Sequence, residues 1–82
     1  MALRATRYGE VESHSIAWCS RAMQYFEVKH YVEFAKDLSY GDLRQMERWL
    51  DESGTLFWTI SGKKLVGFRS NDDAMLFFIR FA

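Results

Sequence analysis

The chain has 82 residues, of which 49% are hydrophobic and 17% aromatic, and its eleven basic residues balance eleven acidic ones. This composition argues against a disordered chain and predicts a single folded domain over residues 1–82. The zero net charge argues against a general binder of nucleic acid or of anionic membranes. Since Cys19 is the only cysteine, an internal disulfide and a cysteine-rich zinc site are excluded as well.

The opening residues predict an intracellular protein. Charges begin at residue 4, no apolar run has the length of a signal peptide, and none approaches the roughly 20 residues of a membrane span. A lone cysteine fits a reducing compartment. We therefore expect a soluble, cytoplasmic protein without a membrane partner.

The first 24 residues predict an arm followed by a helix. The stretch LRATRY is consistent with a short edge strand or with an arm, and the residues leave both open. Apolar residues recur on a broad helical stripe in GEVESHSIAWCSRAM. Glu10 and Glu12 lie at the end of this predicted helix where the helix dipole favours acidic side chains.

A strand is predicted over YFEVKHYVEF, because apolar and polar residues alternate along it with period two. One row of this predicted strand contains Phe26, Val28, His30, Val32 and Phe34.

A helix from about residue 40 to residue 53 is predicted within DLSYGDLRQMERWLDESG. Ser39 is a good N-cap and Asp42 its capping-box partner, while Leu38 and Leu43 are spaced as a hydrophobic staple. Gly54 provides the left-handed residue that ends such a helix.

A β-hairpin is predicted over TLFWTISGKKLVGF, with Gly62 and Lys63 at its two-residue turn. The register follows if Ser61 pairs with Lys64. One face of the hairpin then carries Phe57, Thr59, Val66 and Phe68. The other face carries Leu56, Trp58, Ile60, Leu65, Gly67 and Arg69.

The last segment, SNDDAMLFFIRFA, predicts a turn or one helical turn followed by a strand from about residue 75 to residue 81. Consecutive residues of a strand point to opposite faces. One row would then contain Met75, Phe77, Ile79 and Phe81, and the other Leu76, Phe78 and Arg80.

Together these elements predict an α+β fold, a small antiparallel sheet of four or five strands with two helices packed on one face. The other face would then carry large apolar groups, which a monomer rarely leaves open to water. We expect a protein partner or a second copy of the chain to cover this face. The alternative is that the N-terminal 24 residues cover it. The predicted interface residues are Phe57, Trp58, Phe68, Arg69, Phe77, Phe78 and Arg80.

Candidate catalytic and metal-binding residues are few. Cys19 and His14 are five residues apart and share a helical face poorly, and no third residue has the spacing of a triad. His30 lies in an apolar row, where a hydrogen-bonded core or interface histidine is the simpler interpretation. The adjacent Asp72 and Asp73 lack the surrounding spacing of a calcium loop. We therefore predict no enzyme activity, no catalytic or metal site and no cofactor.

Nucleic-acid binding by the 57–69 hairpin is the alternative to protein binding, with a small enzyme third. Lys63, Lys64 and Arg69 lie near Phe57 and Trp58. Basic residues interleaved with aromatics are typical of surfaces on which single-stranded bases stack. The balanced net charge argues against this alternative.

Three motifs occur together between residues 25 and 82. They are an amphipathic helix with a central tryptophan, DLRQMERWLDE, then an aromatic hairpin, then an acidic turn that enters a strand in NDDAMLFFIRF. In this combination the chain resembles a group of small uncharacterised proteins encoded by tailed bacteriophages. The resemblance implies an accessory protein, in the cytoplasm of an infected bacterium, that binds or inhibits a host or phage protein. It implies no catalytic residues.

Overall fold

The computed structural model of the protein describes residues 3–59 and 64–82, apart from the side chains of residues 13 and 14. The described elements are β1 (Ala5–Cys19), β2 (Gln24–Phe34), α1 (Tyr40–Ser53), β3 (Phe57–Thr59), β4 (Leu65–Phe68) and α2 (Asn71–Phe81). The strands form one antiparallel sheet in the order β1-β2-β4-β3. The predicted α+β fold is confirmed.

The N-terminal third is a strand, and the helix predicted for it is wrong. Residues 10–19 belong to β1, which pairs with β2 on both sides of a bulge. Ala17 and Cys19 are buried while Ile16 and Trp18 are exposed, so the second half of β1 alternates as a strand does. Pairing with β2 joins Ala17 and Cys19 to the hydrophobic core. The edge-strand alternative for LRATRY holds from Ala5 onward.

The pairing of β1 with β2 contains a large bulge. Glu10 lies opposite His30 and Ser15 lies opposite Val28, so that four residues of β1, numbers 11–14, stand opposite Lys29 alone. Extra residues of this kind bend a strand and increase its twist. The far end of the β1–β2 hairpin consequently curls across the sheet, and β1 contacts β3 although the two are at opposite edges.

The helix α1 begins and ends where the sequence predicts. Asp42 N–H donates to Ser39 Oγ at 3.2 Å, and Ser39 N–H donates to Asp42 Oδ2 at 3.0 Å. The hydrogen bond from the Ser39 backbone lowers the pKa of Asp42. At the other end Gly54 has φ 70° and donates its N–H to the carbonyl of Asp51. The face turned to the core carries Leu43, Met46 and Leu50.

The register predicted for the second hairpin, which consists of β3 and β4, is confirmed. Its pairs are Phe57 with Phe68, Trp58 with Gly67, and Thr59 with Val66. The predicted turn at Gly62 and Lys63, together with Ile60 and Ser61, lies outside the described residues.

The C-terminal segment is a helix, so the strand predicted from residue 75 to residue 81 is wrong. Asp73 N–H donates to Ser70 Oγ at 3.2 Å, and this contact caps α2. The buried residues Ala74, Phe77 and Phe81 recur at intervals of three and four. The segment is apolar at both helical and strand spacing, and packing against the sheet selects the helix.

Aromatic contacts hold both helices on one face of the sheet, as predicted. The Phe77 ring of α2 lies 5.9 Å from the ring of Phe34 and 5.0 Å from the ring of Phe68. The Trp49 ring of α1 lies 5.8 Å from the ring of Phe77, so α1 packs beside α2. The second helix on this face is therefore α2 and not the N-terminal segment that the sequence predicts.

Candidate functional site

Three of the seven predicted interface residues belong to the hydrophobic core. Phe57 is 8% exposed, and Phe68 and Phe77 are 0% exposed. Phe57 and Phe68 share the row of the second hairpin that faces the helices. Phe77 faces the sheet because its segment is helical, so the two rows predicted for a strand do not exist. These three side chains offer almost no surface to a partner.

The other four predicted interface residues are dispersed over the molecule. Phe78 is half-buried on α2, and its ring lies 5.0 Å from the ring of Tyr8. Arg80 is exposed on α2, and Arg69 is exposed between β4 and α2. Trp58 lines one concave surface to which none of the other six contributes. The structure therefore does not bring the predicted interface together.

That concave surface is a groove of about 550 Å³ on the face of the sheet turned away from the helices. All four strands contribute to it, because the curled β1–β2 hairpin forms the wall opposite β3 and β4. Clefts that bind ligands are commonly about 300 to 1,000 Å³ and mostly apolar. The apolar and aromatic residues that line the groove are Val11, Ile16, Ala17, Val28, Tyr31, Trp58, Leu65, Val66 and Gly67.

The floor of the groove depends on close packing over glycine. A Cβ atom on Gly67 would lie 2.7 Å from Val28 Cγ1 and 3.3 Å from Cε3 of Trp58. Two apolar side chains therefore approach the backbone of β4 more closely than any other residue at position 67 would allow. Tyr31 packs in the same way over Gly9, where a Cβ would lie 3.2 Å from Cε1 of the ring.

The single apolar row predicted for β2 is interrupted at this groove. Phe26, Val32 and Phe34 are buried as predicted. Val28 is buried as well, but it lines the groove together with Tyr31, although strict alternation would place the two on opposite faces. The interruption lies at Lys29, where the bulge in β1 distorts the pairing.

Charged residues along the groove leave a negative excess. Arg7 Nε donates to Glu33 Oε1, and this hydrogen bond raises the pKa of Arg7. Lys64 Nζ lies 3.9 Å from Glu33 Oε2, so the carboxylate of Glu33 is close to two cations, Arg7 and Lys64. Glu10 and Glu12 also line the groove and have no ion-pair partner in residues 3–59 and 64–82. The groove thus combines apolar walls with two carboxylates that have no ion-pair partner among the described residues.

A second apolar surface adjoins the groove at the end of the β1–β2 hairpin. We call it the hairpin patch, and it consists of Ile16, Trp18, Met23 and Tyr25. The rings of Trp18 and Tyr25, which are cross-strand partners, lie 4.8 Å apart. Ile16 is 69% exposed and also lines the groove, so the two surfaces are continuous.

Ion pairs hold the end of this hairpin on α1. Arg21 Nε donates to Asp51 Oδ1 at 3.1 Å, and a second nitrogen of Arg21 contacts the other oxygen of the same carboxylate. The hydrogen bond to Asp51 raises the pKa of Arg21. Glu47 Oε2 lies 3.8 Å from Arg21 Nε. These ion pairs attach the curled end of the β1–β2 hairpin to α1.

The candidate catalytic and metal-binding residues of the sequence do not come together in the part of the chain that the structure describes. Cys19 is 2% exposed, and the side chain of His14 lies outside the described residues. His30 has its Nδ1 atom buried without a hydrogen-bond partner in the described part of the chain. Asp72 and Asp73 lie in the first turn of α2. Among the described residues, no group of three or more His, Cys, Asp or Glu side chains could hold a metal ion.

Sequence reasoning predicted one wall of the groove and missed the other. Trp58, Leu65 and Gly67 share the outer row of the predicted hairpin, and all three line the groove. The helix predicted for the N-terminal segment does not place Glu10 and Ile16 on the opposite wall, where the structure has them. The signal that could have found it is the alternation in SIAWC, which faces the alternating segment QYFEV across residues 20–23.

Comparisons of the chain with protein-family models, with curated proteins and with solved structures found no match. No helix in the described residues is long and apolar enough to cross a membrane. The groove, with its charges and the adjoining hairpin patch, is the feature from which we infer a function.

Proposed function

We propose that the protein is a small non-enzymatic module that binds a protein partner in the groove. The observation that carries this proposal is the exposure of large apolar side chains on a concave surface. Leu65 is 40% exposed and Ile16 is 69% exposed, and the half-buried Trp58 lies in the same groove. Aromatic and aliphatic side chains seated in a concavity are the usual anchors of protein interfaces.

The chemistry of the lining favours binding over catalysis. Of the described residues that line the groove, none is a histidine or a cysteine, and the hydroxyls are those of Ser15 and Tyr31. No nucleophile is therefore paired with a base in this part of the chain. The groove also continues into the hairpin patch. A long apolar surface of this kind suits a polypeptide better than an enclosed small molecule.

The resemblance of residues 25–82 to small phage proteins agrees with such a module. It supports an accessory protein that acts in the cytoplasm of an infected bacterium by binding or inhibiting a host or phage protein. The helix with Trp49 and the paired strands β3 and β4 correspond to two of its three motifs. The third forms α2 in place of an acidic turn that enters a strand.

Two matched substitutions test the groove as the binding surface. Ile16 lies in the groove and is 69% exposed, whereas Ile79 lies on α2 and is 65% exposed. Tagged wild type and the Ile79→Asn variant should capture the same protein from a bacterial lysate, and Ile16→Asn should lose it. Circular dichroism checks that both variants are folded. Capture that survives Ile16→Asn but fails with Ile79→Asn would place the partner on α2 and contradict the proposal.

Nucleic-acid binding is tested separately, and we expect none tighter than about 10 μM near physiological salt. Phe57 faces the core, and the carboxylates that line the groove beside Trp58 repel phosphate. Fluorescence anisotropy with mixed-sequence single-stranded oligonucleotides is the measurement. Micromolar binding that weakens steeply with salt, and is lost with Lys63→Glu and Lys64→Glu together, would favour the nucleic-acid alternative.

A further inference from the structure

We infer that the segment bound in the groove presents an apolar side chain beside a lysine or an arginine. This inference rests on the proposed function and specifies its partner. The surface is the groove itself, with Trp58 and Leu65 on one wall and Glu10 and Glu12 on the other side. The occupant is a partner polypeptide and not a second copy of this chain.

The charge of the occupant follows from the ion pairs of the groove. Glu33 already contacts Arg7 and Lys64. The guanidinium of Arg7 also lies over the Tyr31 ring, with Cζ 5.9 Å from the ring centroid. Its contacts with Glu33 and Tyr31 therefore hold Arg7 on this side of the groove. Glu10 and Glu12 remain without a cation in the described residues. A partner that covered them without supplying a positive charge would leave carboxylates desolvated and unpaired, which is costly.

The apolar walls fit the same type of side chain. Lysine and arginine have long aliphatic stems that pack along apolar surface while the charged group reaches a polar edge. In the groove, such a stem has the exposed Ile16 to pack against and the two carboxylates to reach. The indole ring of Trp58 adds attraction for a cation. An adjacent apolar side chain of the partner then fills the space beside Leu65.

A second copy of the chain fits this groove less well. Exposed apolar and basic side chains occur together on both helices, as Tyr40 with Arg44 on α1 and Ile79 with Arg80 on α2. Insertion of either helix into the groove of a neighbour would join different surfaces of the two copies. Such contacts are head-to-tail and lead to rings or open chains in place of a closed dimer.

A selection from a random peptide library displayed on beads tests the inference with the intact protein. Peptides enriched by the wild type should carry lysine or arginine next to Leu, Ile, Val, Phe or Trp. The best peptide should bind the double variant Glu10→Gln with Glu12→Gln about tenfold more weakly, and its affinity should fall with salt. The double variant Asp37→Asn with Glu52→Gln removes two exposed carboxylates outside the groove and should bind as the wild type does.

Two separate measurements locate the peptide. One is the shift that it causes in the indole N–H resonance of Trp58, and the other is its binding to the Ile16→Asn variant. If peptides bind in the groove but carry no basic residue, or bind the Glu10→Gln with Glu12→Gln variant equally well, the inference is wrong and the proposed function stands. If no peptide is enriched, or if binding survives Ile16→Asn without shifting the Trp58 signal, both the inference and the proposed function are wrong. Self-association abolished by Ile16→Asn would make the occupant a second copy and overturn the inference.

Discussion

Position 67 shows how a single missing side chain shapes the groove. The Gly67→Ala variant places a methyl group 2.7 Å from Val28 Cγ1. Valine has a stiff side chain that cannot turn away freely, so the clash must be relieved by movement of the strands. We expect a loss of about 1 to 3 kcal/mol in the free energy of unfolding, as overpacking usually causes. Urea titration measures it.

Two further variants show whether the clash is the cause. In Gly67→Ala combined with Val28→Ala, the loss should be smaller than the sum of the two single losses, because truncation of Val28 makes room for the new methyl group. Gly41→Ala is the control. A Cβ at Gly41 has Ser39 Oγ as its nearest neighbour at 3.9 Å, so this substitution should cause no loss. Additive losses at positions 67 and 28 would contradict the explanation.

At the scale of single elements, the start of α1 depends on its cap. Ser39→Ala removes the Oγ atom that accepts the Asp42 N–H, and we expect about 0.5 to 2 kcal/mol lower stability with the fold retained. Urea titration followed by circular dichroism is the measurement. A stability equal to that of the wild type would mean that this hydrogen bond does not hold the helix in solution.

The same cap predicts a dependence on pH. The Ser39 backbone N–H lowers the pKa of Asp42 below its ordinary 3.8, so the folded state releases this proton more readily than the unfolded state. The stabilisation is complete above the unfolded value and is lost as the pH falls through the folded value. The stability difference between wild type and Asp42→Asn should therefore shrink in acid, measured by urea titration over this range. A difference that is constant with pH would show that the carboxylate charge plays no part.

The elements that could be predicted from the sequence are those with local signals. The helix α1 has its cap and its stop within the segment, and the β3–β4 register follows from the place of Gly62 even though the turn itself is not described. In the last segment Phe77 and Phe81 fit a strand row and a helical face equally. Contacts of Phe77 with Phe34 and Phe68, which are distant in sequence, decide for the helix.

The candidate site, like the fold, could be predicted from the sequence only where the signal is local. The outer row of the β3–β4 hairpin follows from its register, so the wall with Trp58 and Leu65 could be inferred. The opposite wall depends on the bulge between Glu10 and Ser15. The sequence has no local signal for a bulge of this size, and the curl it produces is a property of the sheet.

For the whole molecule, the curl of the sheet should depend on Arg21. The Arg21→Gln variant removes the ion pairs with Asp51 and Glu47 that hold the hairpin end on α1. We expect faster amide hydrogen exchange between residues 18 and 25, with little change in α1 and α2, because an exposed ion pair affects local opening more than global stability. Exchange is followed by mass spectrometry.

Arg48→Gln is the matched control, since Arg48 is exposed on α1. It should leave exchange in the hairpin unchanged. Equal exchange in Arg21→Gln and the wild type would show that the curl is maintained by apolar packing alone.

The strand order β1-β2-β4-β3 has a consequence for how the chain folds. β1–β2 and β3–β4 are hairpins of neighbouring strands, whereas the central pairing of β2 with β4 joins segments separated by α1. Closing that long loop costs chain entropy before the buried pair of Val32 and Val66 can form. We therefore expect the two hairpins and α1 to form early from local contacts, and the pairing of β2 with β4 to be the slow, non-local step that completes the core.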